Sequence, residues 1–260
     1  MSTVQVNGVS LHYTDQGEGD PVLLIHGLGS SGADWEMQIP ALIPDFRVIA
    51  VDLRGHGQSD KPDGPYSIAM FAGDVAAVIE ELGIAPCHVV GLSLGGITAL
   101  ELAATRPELV RRAVIVNAGP EFVPKTFKDK AAVWQRRILV KVAPLRTMGE
   151  IIAERTLPED KHAELRERVA ETIASNDKAA YQASMKAIVG WSVLDRLNRI
   201  TSPILVVASE FDYSPSEAKQ PIVDLAQDAR MVVVPETRHL LPVEKPREFN
   251  KILQAFLSDF

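Results

Sequence analysis

Cysteine is almost absent from this sequence, since Cys87 is the single cysteine in 260 residues. No intrachain disulfide can form, and no cysteine-rich zinc site can be built. Cys87 stands immediately before a predicted apolar strand, so we expect it to be a small buried residue. The chain is nevertheless long enough for one compact domain with a sizeable core.

Long hydrophobic runs and an excess of positive charge are also missing. No apolar stretch approaches the ~20 residues needed to span a bilayer, and the N-terminus lacks the basic and apolar regions of a secretory signal. The formal net charge is -7, whereas nucleic-acid binding needs a basic surface. These absences predict a cytoplasmic protein with no membrane partner and no nucleic-acid partner.

The residues that are present alternate between strand and helix patterns, without internal repeats. Short apolar runs bounded by turn residues are typical of strands buried on both faces, and Asn7-Gly8 predicts a hairpin at the start. Together they predict an α/β fold with a mostly parallel eight-stranded sheet and helices on both faces. The predicted strands are residues 3–6, 9–14, 22–25, 48–51, 88–91, 113–116, 204–208 and 231–234, and the predicted helices are 67–82, 94–105, 216–226 and 246–260.

One segment departs from this alternation. Residues 122–197 contain helical patterns at 131–142, 148–155, 160–175 and 177–189, and no convincing strand. We interpret the segment as a helical cap, or lid, inserted between two strands. The chain then divides into a core domain of residues 1–121 and 198–260 and a cap of residues 122–197.

The sharpest chemical signal is the sequence Gly-Leu-Ser-Leu-Gly-Gly at residues 91–96. It follows a predicted strand and precedes a predicted helix, which is the context of a nucleophile elbow. Gly91 and Gly95 leave room for a very tight turn. The helix N-terminus directs free N–H groups and a positive dipole end toward the serine. We therefore predict that Ser93 is the nucleophile.

A second signal, His-Gly-Leu-Gly-Ser, follows the strand predicted at residues 22–25. Acyl transfer places negative charge on a carbonyl oxygen, which preorganised N–H groups stabilise. We expect this oxyanion hole to consist of the backbone N–H groups of Leu28 and of Leu94, the residue after the nucleophile. His26 is expected to hold the loop through hydrogen bonds, and its alternative role is that of general base.

The general base has to be chosen among six histidines. His239 follows the last predicted strand, and reacting groups in open α/β sheets gather beyond the carboxyl ends of the strands. His12 lies in the first hairpin and is expected to be exposed. The remaining candidates lie in a turn (His56), at a strand start (His88) and in the charged insertion (His162). We therefore predict that His239 is the base.

The acid should lie between nucleophile and base in the chain. Asp212 follows the strand predicted at residues 204–208. It would accept the imidazole N–H, which fixes the tautomer and stabilises the imidazolium. Glu210 is its nearest rival, and Asp224, inside a predicted helix, is a weaker one.

Together these residues resemble the α/β-hydrolase superfamily over nearly the whole chain outside the insertion. The signatures occur in family order: His26-Gly27, residues 52–59 (Asp-Leu-Arg-Gly-His-Gly-Gln-Ser), residues 91–96, Asp212, and residues 239–246 (His-Leu-Leu-Pro-Val-Glu-Lys-Pro). Within the superfamily the chain is similar to small bacterial carboxylesterases, 3-oxoadipate enol-lactone hydrolases and cofactor-free haloperoxidase-like hydrolases. Ser209 and Arg238 stand where the family often has glycine, and neither departure removes a reacting group.

The resemblance implies an α/β-hydrolase fold and an acyl-enzyme mechanism, with no metal and no organic cofactor. We expect a small-molecule ester or lactone as substrate, and a monomer or homodimer. Cleavage of esters with short or medium acyl chains is the leading hypothesis. The closest alternative is an enol-lactone or carbon–carbon bond hydrolase with the same triad. A ligand-binding receptor with little turnover is the alternative of another class, and fold alone does not separate these functions.

Substrate selection is expected to depend on the insertion, which would roof the pocket. Its large apolar side chains either line that pocket or pack the insertion's own core: Phe122, Phe127, Trp134, Met148 and Trp191. Residues 122–146 also carry seven lysines and arginines against one aspartate. This basic stretch is either a solvated helix face or a means of steering a carboxylate-bearing substrate.

Overall fold

The structure is a computed structural model that describes residues 2–258, and one eight-stranded sheet forms its centre. The strands are β1 (Ser2–Val6), β2 (Val9–Gln16), β3 (Asp20–Ile25), β4 (Phe46–Val51), β5 (Cys87–Leu92), β6 (Val110–Val116), β7 (Ile204–Ser209) and β8 (Ala229–Val234). They lie in the order β1-β2-β4-β3-β5-β6-β7-β8. β1 pairs with β2 and β2 with β4 in antiparallel fashion, and all other neighbours are parallel. The carboxyl ends of β3 to β8 therefore meet at one edge, hereafter the carboxyl edge.

Helices connect the strands from β3 onward and cover both faces of the sheet. The α-helices among the described residues are α1 (Ile39–Leu42), α2 (Ile68–Glu81), α3 (Leu94–Thr105), α4 (Phe127–Val142), α5 (Leu145–Thr156), α6 (Ala163–Ala174), α7 (Lys178–Ile188), α8 (Gln220–Leu225), α9 (Leu241–Glu244) and α10 (Pro246–Leu257). Short 3-10 helices occur at Gly32–Trp35, Pro107–Leu109, Asp160–His162, Leu194–Arg199 and Ser216–Lys219. No helix within residues 2–258 is long and apolar enough to cross a membrane.

Alternating side chains of the central strands supply two cores, one on each face of the sheet. In β3, Leu23 and Ile25 join the cluster beneath α2 and α3, whereas Val22 and Leu24 join the cluster beneath α10. All four side chains are fully buried, which stabilises the fold by about 1.5–3 kcal/mol for each such residue. Cys87 is buried as predicted, and burial raises the pKa of its thiol to about 12.

The insertion between β6 and β7 is helical, as predicted. It contains α4 to α7, and an isolated bridge between Glu121 and Ser192 joins its two ends. The helices α5 and α6 pack closely, since an added Cβ at Gly149 would lie 2.7 Å from the carbonyl oxygen of Ala170. The insertion has a small core of its own, made of Val140, Leu145, Met148, Ile173, Tyr181 and Met185.

The predicted sheet, with helices on both faces and a helical insertion, is confirmed, and the differences are local. The four-residue helices α1 and α9 were too short to predict from periodicity. The helix predicted at residues 216–226 is a 3-10 turn followed by α8, because Pro221 restarts the helix there. The helix predicted at residues 246–260 is α10, and the last two residues of that prediction lie outside the described residues.

The prediction that His12 is exposed is wrong, because its exposed fraction is only 7%. Its strand, β2, has a hydrogen-bonded neighbour on each side and therefore lies inside the sheet. His12 Nδ1 lies 2.9 Å from Asp52 Oδ2, at the end of β4. The histidine thus belongs to a buried polar network and not to the surface of a hairpin.

Candidate active site

Ser93 occupies the tight turn between β5 and α3 at the carboxyl edge. Its φ of 54° and ψ of -110° form a backbone conformation that is strained for a residue with a Cβ atom. A Cβ added at Gly91 would lie 2.2 Å from the carbonyl oxygen of Gly95. A Cβ added at Gly95 would lie 2.1 Å from the carbonyl oxygen of Ile25. Both glycines are therefore sterically required, as the sequence predicts for a nucleophile elbow. Ser93 itself is partly exposed.

Hydrogen bonds connect the elbow to the loop that carries His239. The N–H of Ser93 donates to the carbonyl oxygen of Val116 at 2.9 Å. The next residue, Asn117, donates from Nδ2 to the carbonyl oxygen of His239 at 3.0 Å and to Ser209 Oγ at 2.9 Å. Its Oδ1 accepts the N–H of Ser209 at 2.8 Å. The ends of β5, β6 and β7 and the loop after β8 are thus held together.

Asn117 is a supporting residue that the sequence patterns did not reveal. It is 4% exposed and has a positive φ of 47°, which asparagine tolerates better than most residues. An asparagine after a strand belongs to no catalytic motif. The one signal that could have identified it is its position at the carboxyl end of a parallel strand.

His239 and Asp212 form a hydrogen-bonded pair at the same edge. His239 Nδ1 lies 2.6 Å from Asp212 Oδ1, and Lys219 Nζ lies 2.8 Å from Asp212 Oδ2. Burial by itself would raise the pKa of Asp212, but hydrogen bonds and charge from His239 and Lys219 outweigh it and lower the pKa to about 2. The carboxylate is therefore ionised at neutral pH. It holds a proton on Nδ1, so that Nε2 of the neutral ring is an acceptor.

The rival carboxylates have other partners. Glu210 Oε2 accepts the backbone N–H of Glu236 at 2.8 Å. Asp224 Oδ1 accepts from the side chain of Gln220, one turn earlier in α8. Among the three candidate acids, Asp212 is the one that the structure brings to His239.

An aromatic ring and a cation stand beside His239 on the side of the insertion. The ring centroid of Tyr213 lies 4.4 Å from that of His239. Arg155, from α5, places its guanidinium carbon 4.6 Å from the Tyr213 centroid. Burial raises the pKa of Tyr213 to about 12, although the charges of Arg155 and Arg136 oppose that rise. The insertion therefore brings positive charge close to the hydrogen-bonded pair of His239 and Asp212.

His26 holds the loop after β3, as predicted. Its Nδ1 donates to the carbonyl oxygen of Gly27 at 2.7 Å, and its Nε2 accepts the N–H of Leu53 at 3.0 Å. Burial lowers the pKa of His26, which keeps the ring neutral with one donor and one acceptor. Both ring nitrogens form hydrogen bonds with backbone groups. His26 would have to break one of these bonds to act as the general base, which was its alternative role.

The predicted oxyanion donors belong to two segments that lie side by side. An added Cβ at Gly27 would lie 3.7 Å from Ser93 Cβ, which places the β3 loop against the elbow. Leu94 is the first residue of α3, where backbone N–H groups have no acceptor within the helix. Leu28 is partly buried and packs against both the main core and the core of the insertion.

The insertion also contacts this loop directly. Gly29 has a positive φ, and an added Cβ there would lie 2.6 Å from the ring of Tyr181 in α7. Asn176 Nδ2 donates to the carbonyl oxygen of Gly29 at 2.8 Å. The loop that would supply an oxyanion donor is thus held in place by these contacts with the insertion.

The apolar side chains considered for the pocket have different environments. Met148 lies in the core of the insertion, as the alternative interpretation predicts. Trp191 packs against the main core and donates from Nε1 to Glu101 Oε2 at 2.8 Å. Phe127 and Trp134 on α4 are 88% and 65% exposed. Met148 and Trp191 therefore stabilise packing, and α4 presents large apolar groups at its surface.

The turn after β4 contains a buried polar network. Asp52 Oδ1 accepts the N–H of Gly32 at 2.7 Å, and Arg54 forms a bidentate ion pair with Asp74 of α2 at 2.5 and 2.6 Å. His56 Nδ1 donates to the carbonyl oxygen of Arg54 at 3.0 Å, and burial lowers the pKa of His56 to about 3. These signature residues therefore hold the loops that surround the elbow.

Fold and site together define an α/β hydrolase. A family model described as alpha/beta hydrolase fold matches residues 20–246 of the chain. The protein belongs to this family. The match covers the turn at Ser93, the loop after β3, the insertion, and both Asp212 and His239.

Relatives of the chain cover it almost completely. It is 28% identical to 3-oxoadipate enol-lactonase 2 of Acinetobacter baylyi, over 99% of this chain and 97% of the relative. The crystal structure of the enol-lactonase from Burkholderia xenovorans LB400 superposes with a TM-score of 0.91 and 26% identity, over 99% of this chain and 100% of that one. A thermophilic esterase from Thermogutta terrifontis, with malate bound, superposes with a TM-score of 0.87 and 26% identity, over 98% and 96% of the two chains.

These similarities confirm the predicted superfamily, and they confirm that the chain resembles enol-lactone hydrolases. They also show that the chain is a hydrolase of a family that acts on small molecules. Among residues 2–258, no group of three or more His, Cys, Asp or Glu side chains is arranged to hold a metal ion.

Proposed function

We propose that the protein is a serine hydrolase of carboxylic esters, with Ser93 as nucleophile, His239 as general base and Asp212 as the acid. The observation that carries the proposal is the 2.6 Å bond between His239 and Asp212, at the edge where the strained Ser93 lies. The connection through Val116 and Asn117 supports the same grouping. Nucleophile, acid and base in this order along the chain are the arrangement that α/β hydrolases use.

The first half-reaction acylates the enzyme. His239 Nε2 takes the hydroxyl proton of Ser93 as Oγ forms a bond with the ester carbonyl carbon. The carbonyl electron pair moves to oxygen, and the N–H groups of Leu28 and Leu94 donate to that oxyanion. When the tetrahedral intermediate collapses, the alkoxide leaves with the proton from His239, and the acyl group stays on Ser93 Oγ.

The second half-reaction restores the serine. Water loses a proton to His239 Nε2 as its oxygen attacks the acyl carbon. The new intermediate expels Ser93 Oγ, which recovers the proton from His239, and the carboxylic acid leaves. Asp212 stays ionised throughout, because its depressed pKa lies far below neutral pH. It stabilises the imidazolium that forms in both steps.

The helical insertion, residues 122–197, would cover this site as a cap on the core domain of residues 1–121 and 198–260. Contacts of Tyr181 and Asn176 with the Gly29 loop, and of Arg155 with Tyr213, support that position. The cap would then set the acyl and alcohol preference, since it supplies the groups on the substrate's side of the triad.

A p-nitrophenyl ester series from acetate to octanoate tests the proposal. We expect steady turnover on at least the shorter esters, with a burst of nitrophenol in the first turnover when deacylation is slower than acylation. Absence of turnover together with tight binding of the same esters would contradict the proposal. That result would favour the alternative of a ligand-binding receptor.

A second candidate substrate is a lactone or ester that carries a carboxylate. Arg155 and Arg136 both act on Tyr213, next to His239, so they could attract such a group. An enol-lactonase is among the relatives, and the related esterase has malate bound. Rates on matched neutral and anionic esters at low and high salt decide between the two classes. A preference for the anionic ester that weakens with salt would favour the carboxylate-bearing substrate.

A further inference from the structure

Lys219 has an unusual position for a lysine, because its side chain is completely buried. It ends the 3-10 turn Ser216–Lys219 that follows β7. Its Nζ donates to Asp212 Oδ2 at 2.8 Å, to the carbonyl oxygen of Ser214 at 2.9 Å and to Ser214 Oγ at 3.0 Å. An ammonium group has three donors, and each of them has an acceptor here.

The two oxygens of Asp212 have different partners. Oδ1 faces His239 at 2.6 Å, and Oδ2 faces Lys219 at 2.8 Å and the hydroxyl of Ser214 at 3.3 Å. A carboxylate held on one side by an ammonium cannot rotate without breaking a charge-assisted hydrogen bond. In addition, the exposed fraction of the Asp212 side chain is 1% and that of Lys219 is 0%, so water screens their charges very little.

We propose that Lys219 is a positioning residue of the triad: its ammonium fixes the Asp212 carboxylate through Oδ2 and balances the negative charge that His239 would otherwise face. This proposal rests on the proposed function, since the triad it serves is the one assigned there. With Lys219 in place, the imidazole lies against a neutral ion pair. Without the ammonium, the unbalanced carboxylate of Asp212 would stabilise the imidazolium form of His239.

Other charged groups surround the pair but act through intervening residues. Arg155 and Arg136 of the insertion act on Tyr213, the guanidinium of Arg238 lies 5.3 Å from the ring of Phe211, and the carboxylate of Glu244 in α9 accepts the N–H of Arg238. Glu210 is bonded to the backbone of Glu236. Lys219 differs from them because it contacts the catalytic carboxylate itself.

The pH profile of kcat/KM separates this role from simple packing. In Lys219→Met, which removes the charge but keeps a similar volume, we expect the acidic limb to move upward by roughly one pH unit or more. We expect kcat to fall ~10-fold, because the carboxylate is less well oriented, and KM to change little. Lys219→Arg keeps a charge, so its acidic limb should stay close to that of the natural protein.

An unchanged acidic limb in Lys219→Met would overturn the proposal, even if activity or stability falls, because a purely structural lysine would give that result. An upward shift in Lys219→Met that Lys219→Arg does not share supports it. A natural protein that hydrolyses no ester or lactone would instead overturn the proposed function, so the two failures are distinguishable.

Thermal unfolding tests the same ion pair without a substrate, and it applies even if Lys219→Met does not fold. Asp212→Asn leaves a buried ammonium without its counter-charge and should lower the melting temperature clearly. The double variant Asp212→Asn/Lys219→Met removes both charges and should recover most of that loss. If the double variant melts no higher than Asp212→Asn, Asp212 does not balance Lys219 and the proposal is overturned.

Discussion

The carboxyl edge of the sheet and the helical insertion are built on different principles. At the edge, the polar side chains of Asn117, Asp212 and Lys219 are buried, and each forms hydrogen bonds to specific partners. In the insertion, α4 leaves large apolar side chains such as Phe127 and Trp134 exposed. Charged side chains of the insertion form exposed ion pairs, for example between Arg146 of α5 and Glu167 of α6.

We infer that this difference separates the proposed chemistry from substrate selectivity. The buried network would hold the proposed reacting groups in the fixed geometry that catalysis requires. Exposed helices tolerate substitution, since exposed ion pairs contribute little to stability. An enol-lactonase and an esterase share this fold at TM-scores of 0.91 and 0.87, and different substrates on one framework are what such a division permits.

The largest expected effect lies at the edge. Ser93→Ala should lower kcat/KM by ~10³-fold or more, because no other group can form the acyl-enzyme. Ser175→Ala is the matched control in the insertion, where Oγ donates to the carbonyl oxygen of Thr172 at an exposed helix end. Its kcat/KM should stay within about twofold of the natural value. Comparable losses in both variants would break the distinction between the two regions.

A second substitution at the edge should also be severe. Asp212→Asn replaces the carboxylate that holds His239 Nδ1–H, so the ring loses its tautomer and its charge partner. We expect kcat to fall by ~10²-fold or more. Glu210→Gln is the control, since Glu210 bonds to the Glu236 backbone, and its kcat should change little. A crippling Glu210→Gln beside a mild Asp212→Asn would transfer the role of acid to Glu210.

In the insertion, substitution should change preference more than rate. Arg155→Gln removes the cation that stacks on Tyr213, so the ratio of rates on anionic and neutral esters should fall ~3–10-fold. Arg137→Gln, on exposed α4, is the control. Competition assays with matched ester pairs at low salt give the ratio directly. An equal loss on both esters would assign Arg155 to the chemistry instead of selectivity.

The smallest expected effect is a loss in the free energy of unfolding at acidic pH. Burial lowers the pKa of His56 to about 3 in the folded protein, whereas the unfolded chain binds that proton near pH 6.5. Stability is therefore full above pH 6.5 and falls as pH drops below it, by about 1 kcal/mol at pH 5.5. Urea unfolding at pH 7.5 and 5.5 should show this loss, and His56→Gln should reduce it. An unchanged pH dependence in His56→Gln would exclude His56 as the source.

Sequence patterns predicted the fold, and they also indicated the candidate reacting residues, because both inferences depend on local signals. The strand-to-helix context of Gly91 and Gly95 indicated the turn at Ser93, and the steric clearances at both glycines agree with it. The positions of Asp212 and His239 after apolar strands indicated the carboxyl edge. The structure brings these two side chains together and leaves Glu210 elsewhere.

The supporting residues could not be predicted, because their surroundings come from distant parts of the chain. Lys219 lies in a segment with charged neighbours, and nothing local distinguishes a buried lysine from a solvated one. Asn117 contacts Ser209 and His239, which are about 90 and 120 residues away in sequence. His12 was misjudged for the same reason, since its burial depends on the pairing of β2 with β4.

Labelling with a fluorophosphonate tests most directly whether Ser93 is an activated nucleophile. Mass spectrometry of the folded protein should find one phosphonate on the peptide that contains Ser93. The label should be lost in Ser93→Ala and should form far more slowly in His239→Ala. A folded protein that stays unlabelled, or that carries the label on another serine, would contradict the assignment of this site.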